Sequence, residues 1–481
     1  MRLSYSYATE LQALTAKVNV QPLYQQRLAV LNQTLSDQLN IEPKYWQQQE
    51  WQRLLFDPAS EWQSHAIAQK YGGHQFGQWN PQLGDGRGHL LAEIVDSQGQ
   101  RHDLHLKGAG PTPFSRHADG RAVLRSSIRE FMVSEAMHHL NVPTSRALCL
   151  FTSEEAVQRE TLERGAMIIR TCPSHLRFGH FEYYFHHQQY EHLDSLFAYC
   201  FSHHFPQFAH AENPHLELFK DIVSSTARLI AQWQAIGFNH GVMNTDNMSI
   251  HGITFDYGPF AFLDDFIPDY ICNHSDHSGR YAFNQQPSIG LWNLNALAQA
   301  FTRYASVEEL TAALSNYEPL LTRQYHQFMA TKMALTASDD LDKTIQQSIA
   351  DVRSRWFEML ESEKRDYSQS FRLLMYAQTE PTKLIDHFID RAQAKVWLKD
   401  YLVITDRLQR DTTQLARVNP NVILRNYHLQ RAIEAAETDD FSLVEALFSA
   451  IQTPYDDTEL HQRFASIPPA EGKGIALSCS S

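Results

Sequence analysis

Cysteine is scarce in this chain. Its 481 residues hold five, Cys149, Cys172, Cys200, Cys272 and Cys479, with no CxxC spacing among them. That excludes a disulfide framework and a cysteine-rich structural zinc site. Four read as small buried hydrophobes. Cys479 lies close to the end of the sequence and reads as a thiol on a terminal tail, open to solvent or to another cysteine. Long apolar runs are missing too. No stretch approaches the roughly 18 uninterrupted apolar residues of a membrane span, and the first residues lack the apolar run of a signal peptide. Basic charge is in deficit: 41 Lys and Arg against 55 Asp and Glu leave a formal net charge of −14. A general nucleic-acid binder or a protein that docks on anionic lipid needs the opposite balance. The expectation is a soluble, cytoplasmic protein with neither nucleic acid nor membrane as partner. A local basic pocket for phosphates is still compatible with an acidic whole.

Internal repeats and low-complexity linkers are absent as well, but the character of the chain changes along its length. Residues 65–180 are rich in Gly, Arg and short apolar runs, a pattern of strands and turns. Leu90-Leu91-Ala92-Glu93-Ile94-Val95 and Asp103-Leu104-His105-Leu106 read as adjacent strands around the turn Ser97-Gln98-Gly99. Residues 121–140 turn helical and stop before Val142-Pro143. Beyond residue 190 the pattern is mostly helical. Ile222, Thr226, Leu229, Ile230, Trp233 and Ile236 form one apolar stripe ending near Gly237, and Leu294, Leu297, Ala298, Phe301 and Tyr304 form another. Between the two lies a polar, turn-rich passage, residues 239–257. Strands first, helices later and a polar loop within the helical half suggest a two-lobed α+β enzyme.

The chemistry-bearing residues follow that order. In Leu83-Gly84-Asp85-Gly86-Arg87-Gly88, alternating glycines let backbone amides approach phosphate oxygens, and Arg87 adds charge. A Gly-rich hairpin turn looks the same. Lys107 leaves the next strand where a kinase has its phosphate-gripping lysine. Such a lysine needs a carboxylate to hold it, and the following helix offers Glu130 and Glu135, between which periodicity does not choose. The strongest local signal is His240-Gly241-Val242-Met243-Asn244-Thr245-Asp246-Asn247 followed by Phe255-Asp256-Tyr257-Gly258. Kinases space a metal-holding Asn and Asp in this way, which makes Asn247 and Asp256 candidate ligands, with the apolar segments between them expected to form a hairpin. One position departs from the kinase pattern. Val242 stands where the proton-accepting aspartate belongs, and an apolar side chain accepts no proton. General-base help is worth roughly 10²–10⁴-fold in rate, so ordinary γ-phosphoryl transfer is disfavoured, and Asp246 is the nearest carboxylate able to act from another direction. The 25 histidines include neighbours at His138-His139, His186-His187 and His203-His204, none in an HExxH frame. Cys272, His274 and His277 lack a fourth ligand, and Asp264-Asp265 reads as a solvated or helix-capping pair.

At this point the chain resembles the selenoprotein O family of pseudokinase-fold protein adenylyltransferases. The stretches that carry the likeness are YGGHQFGQWNPQLGDGRG, LHLKGAGPTPFSRHADGRAVLRSSIREFM, PSHLRFGHFEY and HGVMNTDNMSIHGITFDYGPFAFLDD, with the terminal Cys-Ser-Ser beyond them. The resemblance implies a bilobal protein-kinase-like α+β fold, with a helical extension at 1–64, a strand-rich N-lobe at 65–185, a helical C-lobe at 186–400 and a C-terminal extension at 401–481. It implies transfer of AMP from ATP to Ser, Thr or Tyr hydroxyls of proteins, because the family binds ATP flipped relative to kinases. Gly84, Gly86 and Arg87 would form the nucleotide loop, and Lys107 would grip phosphate while paired to Glu130. Asp119 and Gly120 would touch the nucleotide, and Arg170 and Arg177 would bind phosphates. Asp246 would accept the proton, while Asn247 and Asp256 would hold Mg²⁺. The alternatives are transfer from UTP with Mn²⁺, an atypical phosphotransferase, and a non-catalytic nucleotide-binding scaffold. Where family members often carry selenocysteine this chain has Cys479, and a regulatory disulfide with Cys272 is a further expectation.

Overall fold

The computed structural model describes residues 1–337, 342–475 and 477–478. The strand-rich half is organised by a nine-stranded sheet in which every pairing is antiparallel. Along its main path run Thr15–Lys17, Ile67–Gln69, Gly88–Val95, Arg101–Lys107, Leu162–Cys172, Arg146–Gln158 and Arg27–Leu31. The two strands expected around Ser97-Gln98-Gly99 are present and adjacent. Side chains alternate across the sheet as a pleat requires. Ile168 packs on one face with Leu90 and Leu150, against Ile128, Phe131 and Met132 of the helix Leu124–His139. Met167 and Ile169 point the other way, among Leu91, Leu106, Trp51, Leu55 and Trp62.

That second face corrects one expectation. Residues 1–64 are not a helical extension: Leu3–Ser4, Thr15–Lys17 and Arg27–Leu31 pair into the sheet, and the short helices between them cover its outer face. The reason is physical. A sheet apolar on both sides must bury both, and the N-terminal segment supplies the missing layer.

The second lobe is helical as expected. Pro214–Ile236 ends at Gly237, and Gln286–Phe301 packs against it within the main core. A separate apolar cluster gathers the helices between Met329 and Leu415. The C-terminal helices Asn426–Glu437 and Ser442–Gln452 return to the first lobe and lie behind Leu124–His139, with Phe131 and Phe448 at 5.1 Å between ring centroids. Asp264 and Asp265 are also corrected, since neither is a solvated or capping residue. Asp264 pairs with the buried Arg425 at 2.7 Å and Asp265 with Lys473 at 2.6 Å, so both tie the C-terminal segment to the second lobe. Among the described residues, no helix is long and apolar enough to cross a membrane.

Two backbones approach closely at the start of the helix Phe178–His186. A Cβ placed on Gly179 would lie 2.1 Å from the carbonyl oxygen of Gly72. Helix propensity alone favours alanine there by about 1 kcal/mol, whereas a backbone clash of this kind costs about 1–3 kcal/mol or more. Gly179→Ala is therefore expected to lower the urea midpoint; an unchanged or higher midpoint would show that the two backbones separate freely.

Candidate active site

The floor of the cleft between the lobes is a long excursion from a two-stranded ladder, Phe238–Asn239 paired with Ala261–Phe262. Side chains of the helix Gln286–Phe301 hold it in place. Gln286 accepts from the His240 amide and donates to the Phe238 carbonyl, each at 2.9 Å, and Asn293 donates to the Met243 carbonyl at 2.9 Å. Asn247 turns its amide onto the Val242 carbonyl at 3.0 Å. The hairpin expected between Asn247 and Asp256 does not form. Its first limb bonds outward to the 176–178 segment, and its second bonds to Pro143 and Ser145. Each limb finds a better-placed neighbour than its own partner, and the turn at Gly252 splays them apart.

Charge is concentrated where the lobes meet. Lys107 ends the strand Arg101–Lys107 opposite Gly88 and Ile168. Its ammonium pairs with Glu130, and Glu135 instead takes Arg146 through two bonds of 2.6 and 2.7 Å. The carboxylate that periodicity left open is thus Glu130. Glu130 also accepts from Arg170 at 2.9 Å, Arg170 bonds to Asp256, and Arg177 bonds to the other oxygen of Asp256. Burial alone would push Asp256 towards its neutral form, but Arg170, Arg177 and Lys107 outweigh it and hold the carboxyl well below the usual range. Its backbone sits at φ +57°, in the left-handed region, a strain that the two guanidinium contacts sustain.

Asp246 has the opposite environment. Burial raises its pKa to about 7, against the pull of Arg177 and of a hydrogen bond from Gln75 at 3.2 Å. Its Oδ1 is buried with no hydrogen-bond partner among the described residues. Beside it lie the amide side chain of Asn247 and the carboxylate of Asp256, so the local donor set is all oxygen and suits a hard divalent cation.

Around this floor is a cleft of about 750 Å³. Its walls include Gly84, Gly86, Arg87 and Lys107 from the first lobe, Asp119, Gly120 and Arg170, and Val242, Asp246, Asn247 and Asp256 from below. Gly84 adopts φ +138° with Phe114 beneath it, where a Cβ would approach to 2.5 Å. Asp119 is held by Arg159 through bonds of 2.8 and 2.9 Å. Two expected nucleotide contacts do not line the cleft. Glu130 and Arg177 are both buried behind it, Arg177 bonding to Asp256 and the Asp246 carbonyl and stacking over Tyr71 at 4.5 Å. Conversely, Gln75 and Arg159 reach the site without having been expected there. Gln75 lies within a recognisable motif, but its hydrogen bond spans 171 residues of sequence, and Arg159 sits in a hairpin turn with no pattern of its own. The four described cysteines are buried, as expected, and the Cys272–Cys479 pairing lies outside the described residues.

The family model described as Protein adenylyltransferase SelO matches residues 1–452. The chain is 52% identical to a "Protein nucleotidyltransferase YdiU" from Pseudoalteromonas atlantica, with all of both chains aligned. It is 45% identical to a protein of the same name from a Marinomonas strain, again over both whole chains.

Asp246 also makes a stability prediction. A carboxyl whose pKa is raised by folding, here from 3.8 to about 7, destabilises the folded state above pH 7, and the penalty shrinks as pH falls towards 4. The upper bound is about 4 kcal/mol. Asp246→Asn should therefore stabilise the nucleotide-free protein in urea at about pH 8, and by less than half as much at about pH 5. A gain that does not change with pH would assign the effect to packing instead.

Proposed function

The chain belongs to the protein adenylyltransferase SelO family and is a protein nucleotidyltransferase; from that premise we propose that it transfers AMP from ATP to Ser, Thr or Tyr hydroxyls of other proteins. The acceptor oxygen bonds to the α-phosphorus, the bridge to the β-phosphate breaks, and pyrophosphate leaves. Residues 65–185 carry the nucleotide loop and 186–400 the metal-holding floor, with 1–64 joined to the sheet of the first and the described part of 401–481 packed behind it.

Asp246 takes the proton of the attacking hydroxyl, a task suited to a carboxyl poised near neutral pH. Asn247 and Asp256 would hold Mg²⁺, which when bound would neutralise charge on the triphosphate. Lys107, Arg170 and Arg87 face the charge that grows on the departing pyrophosphate. Glu130 orients Lys107, and Arg177 fixes Asp256 from behind. Gly84 and Gly86 present backbone to phosphate, and Asp119, Gly120 and Arg159 close one side of the cleft. The observation that carries this reading is the exchange of positions on the floor: apolar Val242 where a kinase has its base, and the unpartnered carboxylate oxygen of Asp246 a few residues further on.

Parallel reactions with α-labelled and γ-labelled ATP test the reaction class. Protein labelled from the α-position only is expected; label arriving only from the γ-position overturns the proposal. Asp246→Asn should lower kcat by roughly 10²–10⁴-fold. An arm with α-labelled UTP and Mn²⁺ decides whether the base is read, with stronger labelling from ATP expected. Regulation through a Cys272–Cys479 disulfide belongs to the same proposal. It is supported by the pairing of Leu477 beside Asn273, where the His274 amide donates to the Leu477 carbonyl at 2.8 Å. Mass spectrometry of non-reduced peptides from oxidised protein should find that linkage, and its absence would remove the switch.

A further inference from the structure

Outside the nucleotide cleft, His74, Glu182 and His186 converge, and none of the roles above uses them. Their ligand atoms all lie within 4.8 Å of one another. His74 comes from the small hairpin Gly73–Gln75 and Gln78–Asn80, while Glu182 and His186 come from the helix Phe178–His186. Four residues apart, the latter two stand one above the other on a single helical face. The Nδ1 of His74 is 2.5 Å from Oε2 of Glu182. Glu182 is fully buried, and its Oε1 has no hydrogen-bond partner among the described residues; neither has Nε2 of His186. Leaving such atoms unpaired costs about 1–3 kcal/mol each.

We propose that His74, Glu182 and His186 form a binding site for a divalent transition-metal ion of the zinc class, separate from the cation of the nucleotide cleft. Two imidazoles and one carboxylate, with water in the remaining position, are a donor set that Zn²⁺ takes and that Mg²⁺ does not favour. Asn247 and Asp256 offer oxygen donors to the cation of the cleft, so the two sites favour different ions by ligand chemistry. Aromatic rings complete the surroundings: Trp79 lies 4.4 Å from the His186 ring and 5.2 Å from His74, and Trp292 lies 5.3 Å from His74. Such a shell limits water and strengthens the attraction between carboxylate and cation. On binding, the ion takes one lone pair from each imidazole and one from the carboxylate, and the neutral His74 ring carries its single proton on the nitrogen that does not face the ion.

The ion has a structural task at this position. The hairpin that carries His74 also carries Gln75, which bonds to Asp246, and the His74 amide donates to Thr245 Oγ1 at 2.7 Å. The helix that carries Glu182 begins immediately after Arg177, which fixes Asp256. One ion therefore fastens together the two elements that position the opposite carboxylates of the floor. The binding claim does not depend on which group the enzyme transfers.

The test uses the full-length protein, stripped with a chelator, reloaded with zinc and desalted. Elemental analysis should find about one zinc per chain, and reloading should raise the thermal midpoint. His74→Asn and His186→Asn should each weaken zinc binding at least tenfold while a large excess of Mg²⁺ leaves zinc in the wild-type protein. Wild-type protein that retains no zinc, or variants that retain it as well as wild type, would overturn the site. Cobalt(II) added to the wild-type protein gives a reading independent of how the variants fold. An intense visible absorption of a four-coordinate ion is expected, and only the weak band of hydrated cobalt would reject the proposal.

Discussion

The ionised carboxylate of Asp256, clamped between Arg170 and Arg177, is the interaction on which the rest of the site depends. Three cations, Lys107, Arg170 and Arg177, meet two anions, Glu130 and Asp256, in a place largely closed to water. Burying ions is costly unless each finds a partner, and removing one partner from a buried pair typically costs about 3–5 kcal/mol. The cluster is therefore cooperative: loss of Glu130 would free Lys107 and leave Arg170 with Asp256 alone. It also carries one more positive than negative group, with Arg87 adding a further cation on the cleft wall. That local surplus explains how a chain with a formal net charge of −14 offers a seat to a polyanion. The general field repels phosphate, and the short-range field beneath the cleft attracts it.

Holding this cluster together takes elements far apart in sequence. Lys107 and Arg170 sit on neighbouring strands, Glu130 on the helix packed across them, and Asp256 on a loop of the other lobe. The helix cannot swing away, because the C-terminal helices lie behind it; Arg129 on that helix donates to Asn426 at 3.0 Å and stacks on Phe260 at 4.4 Å. Asp439 reinforces the same join with bonds of 2.6 Å to Arg27 and 2.7 Å to Arg164. The long C-terminal segment, which has no motif of its own, thus serves as a backing plate for the Lys107–Glu130 pair.

Local pattern revealed what depends on local forces. The strands around Ser97-Gln98-Gly99, the helix before Val142-Pro143 and the helix ending at Gly237 were all legible, because period and turn chemistry are short-range properties. Which residues would meet was less so. Glu130 and Glu135 share one helix, and only the position of Lys107 at the end of its strand separates them. Arg177 was expected in the cleft and lies behind it, since the sequence marks an arginine but not the direction in which its strand-to-helix turn aims it. The N-terminal strands were missed because their partners lie elsewhere in the chain. The Asn247–Asp256 hairpin failed for the same reason: competition with the 176–178 segment and with Pro143 is tertiary and leaves no trace in the apolar pattern.

The two aspartates of the floor show how one loop makes carboxyls of different character. Asp246 is buried and Asp256 largely so, and that loss of water drives each towards its neutral form. Asp256 overcomes that through two guanidinium partners and remains an anion; Asp246 receives only one amide donor and the more distant influence of Arg177, and is poised near neutrality. An anion that never releases its charge suits a cation ligand, whereas a carboxyl near its midpoint can take up and give back a proton. With Val242 at the usual base position there is no third carboxyl to repel both and push both pKa values up. The aliphatic residue is thus more than a lost function: without a charge there, two guanidinium partners suffice to keep Asp256 ionised, and Asp246 stays poised near neutrality.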